Sequence, residues 1–241
     1  MSRRGGVGQT PCTMYLPDIH SVPLQPAGPA AASAPGQAQT SVFPLMDDGA
    51  VQVGVWECGQ GTFHRDPVAY DEMMFMASGR ATVAHDNGTY DLTPGTTWVK
   101  SREWPCTWTV HQAVRKMYVI DGRPNAAAPP ALLDNAYTWD VGTRVSHPKP
   151  LAGDPKQILR ELWVHNGLEV GLWECEPGSF GISRDGYDEA MIILSGKATM
   201  NAPNGQVFPL QAGSVLVTPQ GFVGHWIIEE TLRKVYVKVM R

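Results

Sequence analysis

Lys/Arg clusters, long apolar runs, CxxC pairs and the common nucleotide-binding loops are all missing from this 241-residue sequence. Each absence removes a class of function. With 19 basic residues against 23 acidic ones and a net charge of −4, no basic cluster stands ready to neutralise a run of phosphates. Neither nucleic acid nor an anionic membrane surface is therefore an expected partner. No apolar stretch approaches the ~18–20 residues of a membrane helix. The start, Met1-Ser2-Arg3-Arg4, is not followed by the apolar core of a secretory leader. The four cysteines, Cys12, Cys58, Cys106 and Cys175, form no dense framework, which is the pattern of reduced thiols in a cytoplasmic protein. G-x-S-x-G, G-x-x-x-x-G-K-[ST] and G-x-G-x-x-G are absent as well, which sets aside serine-hydrolase and nucleotide chemistry.

What is present is enough apolar material, 43% of residues, to bury one large core or two small ones. Residues 1–40 stand apart. Their only charges are Arg3, Arg4 and Asp18, and residues 27–36 are almost all Ala, Pro and Gly. They read as a flexible or draped N-terminal arm, with docking of residues 14–19 on the body left open. Residues 123–130 are again Pro/Ala-rich and read as linker. The expected organisation is an arm over 1–40, a domain over 41–121, linker and lead-in over 122–150, and a second domain over 151–241.

The two domains are copies of one another. Val53-Gly54-Val55-Trp56-Glu57-Cys58 returns as Val170-Gly171-Leu172-Trp173-Glu174-Cys175. Tyr70-Asp71-Glu72 returns as Tyr187-Asp188-Glu189, Ser78-Gly79 as Ser195-Gly196, and Asn87-Gly88 as Asn204-Gly205. Trp108 pairs with Trp226, and Arg115-Lys116-x-Tyr118 with Arg233-Lys234-x-Tyr236. Short β-rich runs between turn residues, with Asn-Gly hairpin signals, predict all-β copies, each a sandwich or barrel. Residues 155–162 are the one stretch that reads as a short helix.

Two spacings carry a resemblance. Glu72 and Glu189 each stand seven residues before a glycine, Gly79 and Gly196, and Gly213 precedes Pro219-Gln220-Gly221. These resemble the two motifs of cupins, small jelly-roll barrels of the RmlC-like superfamily. The Trp-Glu-Cys, Tyr-Asp-Glu and Arg-Lys-x-Tyr frame is similar to the subgroup of ethanolamine-utilisation cupins and, more distantly, of (S)-ureidoglycine aminohydrolase. The resemblance implies a bicupin: all-β, two tandem jelly-roll barrels behind an extended N-terminal arm, acting in nitrogen or carbon catabolism. It leaves a homodimer open, although the duplication can itself satisfy the pairing that cupins make through their sheets.

The resemblance also implies a metal site of two His, one Glu and a third His, and here the sequence departs from it. The Glu falls on Glu72 and Glu189, but the His positions hold Asp66, Val68 and Cys106 in the first copy and Ser183, Asp185 and Gly224 in the second. A usual cupin iron or manganese centre is therefore not expected. An atypical site for a divalent metal (Mn, Fe, Ni or Zn) made from His64, Asp66, Glu72 and Cys106 stays open.

Strand alternation then proposes the cavity contents. If Glu72 faces inward, so do Asp66 and Tyr70, with Cys106 and Trp108 opposite. In the second copy the set is Asp185, Tyr187, Glu189 and Trp226. The Asp, Tyr and Trp residues are expected to bind substrate. Glu72, Glu189 and Cys106 are the catalytic candidates. Burial would raise the pKa of either Glu and suit it to acid/base work; the competing reading is a carboxylate stapled to a Tyr, Lys or Arg. Cys106 is either a reactive thiolate or an inert core residue. Only one residue of each Arg-Lys pair can face inward. Two functions follow: an enzyme of hydrolase, lyase or isomerase type acting on a small polar metabolite, or a non-catalytic module that binds or senses a small molecule.

Overall fold

The computed structural model describes residues 14–31, 37–127, 129–133 and 135–241; Cys12 lies outside them. The first strands are β1 (Met14–Leu16), β2 (Gln25–Pro29), β3 (Gln39–Asp47), β4 (Val51–Cys58), β5 (Gly61–Arg65), β6 (Asp71–His85), β7 (Gly88–Leu92), β8 (Thr97–Lys100) and β9 (Cys106–Asp121). They are followed by β10 (Ala131–Leu133), β11 (Val145–Ser146), β12 (Pro150–Ala152), β13 (Lys156–His165) and β14 (Leu168–Cys175). The chain ends with β15 (Gly178–Ser183), β16 (Tyr187–Asn201), β17 (Val207–Gln211), β18 (Val215–Thr218) and β19 (Val223–Met240). Among the described residues no helix is long and apolar enough to cross a membrane.

The fold is all-β, two tandem jelly-roll barrels built on two antiparallel sheets. The first sheet runs β10-β8-β6-β9-β4-β3-β2, and the second runs β1-β18-β16-β19-β14-β13-β11. In each barrel one pair of long strands, β6 with β9 and β16 with β19, serves both walls by bending midway. The bend is the repeated Ser-Gly. The ladder shifts register around Ser78 and again around Ser195. Gly79 and Gly196 adopt φ of 85° and 86°. A Cβ on Gly79 would stand 2.0 Å from the Ala113 carbonyl oxygen, so these positions tolerate only glycine.

Alternation along these strands builds two kinds of core. Met73 and Phe75 face the partner barrel, in a cluster that also holds Ala190, Ile192, Val235 and Val237. Met74 and Met76, one residue along, fill the interior of the first barrel with Trp98 and Trp108. Met191, Ile193 and Trp226 do the same in the second. Each sheet is therefore apolar on both faces.

The lead-ins are exchanged between barrels. β1, from the arm, pairs with β18 of the second barrel, and β10, from the linker, pairs with β8 of the first. Arg115 donates to the carbonyls of Ile19 (3.0 Å) and His20 (2.5 Å), and Arg233 donates to that of Ala136 at 2.8 Å and to that of Trp139. Arg115 and Arg233 also pair with Glu57 and Glu174.

Two local expectations are corrected. Residues 156–162 lie in strand β13, not in a helix, because Gln157 to Glu161 ladder onto Cys175 to Gly171 of β14; pairing in the sheet overrides helix propensity. Hairpins form at both Asn-Gly pairs, but in different registers. His85 pairs with Gly88, which puts Asp86-Asn87 at the first turn, whereas Ala202 donates to Gln206 and accepts from Gly205, so that Asn204-Gly205 lie within the second loop with Gly205 at a φ of 84°. The Asn-Gly with both residues at positive φ is Asn166-Gly167 (51° and 77°), which joins β13 to β14.

Candidate functional site

Both barrels centre on the same ion pair. In the first, Lys116 Nζ lies 2.6 Å from Glu72 Oε1; in the second, Lys234 Nζ lies 2.5 Å from Glu189 Oε1. The lysine is the inward member of each Arg-Lys pair, because alternation sends Arg115 and Arg233 to the lead-ins instead. Each ammonium also sits over two indoles: Lys116 is 4.8 Å from the Trp56 ring and 5.3 Å from Trp108, and Lys234 is 4.9 Å from Trp173 and 5.3 Å from Trp226.

A second cation reaches each glutamate. Arg184 Nη2 is 3.2 Å from Glu189 Oε2, while its Nε donates to Thr218 Oγ1 at 3.0 Å and its Nη1 to Tyr187 OH at 3.2 Å. In the first barrel Arg65 donates to Tyr70 OH and adds its charge to the surroundings of Glu72. The expectation that burial would raise both Glu pKa values is thereby reversed. Burial does oppose ionisation, but for Glu72 it is outweighed by Lys116 and Arg65, and for Glu189 by Arg184 and Lys234, so both carboxyls lie below the usual range. The group shifted toward neutrality is the lysine: burial outweighs Glu189 and brings Lys234 down to about 8.

The two barrels then differ in access. Glu189, Arg184, Lys234 and Lys238 line a cavity of about 170 Å³, walled by aromatic rings that include Tyr187 and Trp226. Lys238 Nζ donates to Glu169 Oε1 at 2.7 Å, which also accepts from Tyr236 OH. In the first barrel Trp108 stacks on Phe63 within the core. A depression there is lined by Arg65, Asp66, Val68, Trp56 and Phe63 but not by Glu72, Lys116, Lys100 or Cys106, although Glu72 and Lys116 are buried about as deeply as Glu189 and Lys234. Lys100, 1% exposed, has a contact with the Ser101 carbonyl at 3.5 Å. Burial lowers its pKa and raises that of Cys106, the opposite of what a reactive thiolate requires.

The structure therefore separates several residues that alternation placed together. The Asp66 side chain is 88% exposed, and Asp185 is on the surface accepting from Ser183 Oγ. The cause is an interruption: no ladder runs between β5 and β6 or between β15 and β16, so the period-two phase is lost and arginines turn inward instead of aspartates. The set His64, Asp66, Glu72 and Cys106 is likewise divided, with His64 half exposed and paired to Asp66 at 3.8 Å while Glu72 and Cys106 are inside. Among the described residues no group of three or more His, Cys, Asp or Glu is arranged to hold a metal ion. An ammonium on each motif glutamate is an unfit neighbour for a divalent cation, so the donor set does not match the usual cupin metal. Gly224 opens no space, since Phe222 packs where its Cβ would be.

Sequence reasoning missed Arg65, Arg184, Lys100 and Lys238. The repeat conceals the two arginines, because they stand at non-equivalent positions: Ile182 matches Arg65, and Pro67 matches Arg184.

Comparison with known proteins agrees with this architecture. The EutQ-like cupin domain family matches residues 45–118 and 166–236. No curated protein matches the sequence. A DUF861-family protein of unknown function from Pseudomonas syringae pv. tomato superposes with a TM-score of 0.73 at 18% identity, covering 95% of this chain and 100% of its own. A cupin 2 conserved barrel domain protein from Leptotrichia buccalis gives 0.65 at 9% identity, covering 86% and 92%. A deletion mutant of Bacillus subtilis oxalate decarboxylase gives 0.51 at 15% identity, covering 94% and 76%. With the family matched in both halves, and with two barrels that repeat one fold, this chain belongs to the EutQ-like cupins.

Proposed function

We propose that this bicupin acts on a small, carboxylate-bearing polar metabolite in the cavity of the second barrel, with Lys234 rather than Glu189 as the proton carrier. The observation that carries this reading is the charge balance. Among the described residues the ion pairs of Arg184, Lys234 and Lys238 are with Glu189 and Glu169, three cations on two carboxylates, which leaves one positive charge over in a partly apolar cavity. The bonds of Arg184 to Thr218, Tyr187 and Glu189 use three of its five N–H groups, so donors remain for a ligand carboxylate. A single base beside an anion anchor suits lyase, isomerase or hydrolase chemistry. One structural neighbour is named for the decarboxylation of a small carboxylate, oxalate.

Calorimetric titration with small carboxylates and their amides tests the reading. Carboxylates are expected to bind and amides not to, and Arg184→Gln should weaken binding about 10–100-fold. Absence of carboxylate binding, or an unchanged affinity in Arg184→Gln, would overturn it. A second reading, a binding or sensing barrel without turnover, is favoured by the hold of two cations on Glu189, which withdraws that carboxyl from proton transfer. NMR of each bound carboxylate over time separates the two: in the second reading no ligand is consumed.

A further inference from the structure

We infer that Lys234 is a covalent capture site, its amine condensing with the carbonyl group of a small 2-oxo acid to form an imine. This rests on the reading of the second barrel as a carboxylate site and deepens it by naming the carbonyl next to the carboxylate as the recognised feature.

Four observations converge on it. Lys234 lines the cavity of the second barrel, whereas its mate Lys116 does not line the depression of the first. Its ammonium rests between Trp173 and Trp226 and touches Met191 Sδ at 3.6 Å, an environment that solvates charge poorly. Glu189 is shared between Lys234 and Arg184, so loss of the Lys234 proton leaves the glutamate still paired with Arg184 instead of stranded as a buried anion. Finally, Arg184 and Lys238 line the same cavity as Lys234 and offer anchors for the carboxylate of the captured molecule. A lysine desolvated in an apolar pocket beside other cations is the arrangement that makes amines nucleophilic. Burial adds to this by bringing Lys234 to about 8. The cavity, about 170 Å³, falls short of the ~300–1,000 Å³ of pockets for drug-sized ligands and restricts the guest to a few carbons.

The step balances without a redox partner. The Lys234 ammonium gives a proton to solvent, and the free amine attacks the carbonyl carbon. A C–N bond forms as the carbonyl electron pair moves to oxygen, which is protonated to give a carbinolamine. The nitrogen lone pair then forms the C=N bond as the C–O bond breaks, and oxygen takes a proton from solvent and leaves as water. Amine and carbonyl become imine and water. Glu189, 2.5 Å from Nζ and paired also with Arg184, stays ionised throughout and balances the charge on the nitrogen.

The test uses the full chain with pyruvate or glyoxylate at pH 8, with sodium cyanoborohydride added to reduce any imine to a stable amine. Intact mass and peptide mapping are expected to show one adduct, on the peptide holding Lys234 and not on those holding Lys116 or Lys197, whose side chain is 56% exposed. Lactate, which keeps the carboxylate but lacks the carbonyl, should protect the site without labelling it. Lys234→Arg should lose the adduct, while mapping of the unaltered chain keeps the result independent of how that variant folds. Labelling spread over exposed lysines, or none at all, would overturn the imine. Parallel calorimetry without reductant distinguishes the failures: binding of pyruvate and lactate without an adduct sinks only the covalent step, and binding of neither sinks the carboxylate site as well.

Discussion

Arg115 donates to the carbonyl oxygen of Ile19 at 3.0 Å, tying a strand of the first barrel to a lead-in that is seated on the second. Ile19 is fully buried in the cluster between the sheets, although it belongs to a stretch with the composition of a loose arm. Ile19→Ala is therefore expected to cost about 2–5 kcal/mol in urea unfolding, as in a barrel core. A loss within 0.5 kcal/mol, the usual effect at a surface position, would show that the lead-in is not part of the folded unit.

How much of this was legible in the sequence depends on whether a residue recurs. Lys116 and Lys234 could be read as inward partners of Glu72 and Glu189, because the Arg-Lys pair repeats and alternation allows only one of the two inside. The lead-ins were hidden because β1 and β10 are three residues long and share little identity: Leu16 matches Leu133, but Ile19 matches Ala136. Asp66 and Asp185 were misplaced because alternation was carried through residues that form no ladder. Arg65 and Arg184 were invisible for the related reason that each sits where a strand ends, Arg65 as the last residue of β5 and Arg184 one past β15, and the two copies differ there.

Lys100 is a buried ammonium whose close contact is one carbonyl at 3.5 Å, in a barrel that already holds Lys116 and Arg65 against a single glutamate. Burying it costs more than this contact returns. Lys100→Met should keep the side-chain volume and raise stability by about 1–3 kcal/mol, read as a higher urea midpoint at unchanged m-value. A destabilised variant would show that Lys100 is held by an attraction to Glu72 or Cys106 stronger than its desolvation.

Stability should pass through a maximum near pH 9. Glu72 and Glu189 have folded pKa values below their ordinary 4.5, so the stability they confer is complete above that pH and is lost as pH falls below it through the folded values. Lys234 acts in the other direction: folded at about 8 against 10.5, it leaves the unfolded chain holding more protons between those values, and stability rises with pH there. Cys58 and Cys175, pushed up by burial from 9.0 to about 11 and about 12, oppose that rise above pH 9, where the unfolded thiols ionise first. Urea midpoints measured from pH 3 to pH 10 check the shape. Lys234→Met should weaken the rise between 8 and 9, to which Lys100 and Lys116, also lowered by burial, contribute in the same direction, while leaving the acid limb set by Glu72 in place; an unchanged alkaline limb would remove Lys234 as its source.

The two motif glutamates should respond differently to the same substitution. Glu72→Gln leaves Lys116 buried beside Arg65 and Lys100 with no carboxylate, and is expected to cost about 3–5 kcal/mol. Glu189→Gln also removes an anion, but Arg184 keeps its bonds to Thr218 and Tyr187, and Lys234, already brought to about 8, sheds its proton readily, so its cost should be the smaller. It should also tighten carboxylate binding, because the cavity then presents Arg184 and Lys234 without the charge that occupied them. Parallel unfolding and calorimetry on both variants read the difference. Equal losses of stability together with weaker carboxylate binding in Glu189→Gln would mean that both glutamates are staples of equivalent barrels, and that the opening of the second barrel serves no ligand of this charge.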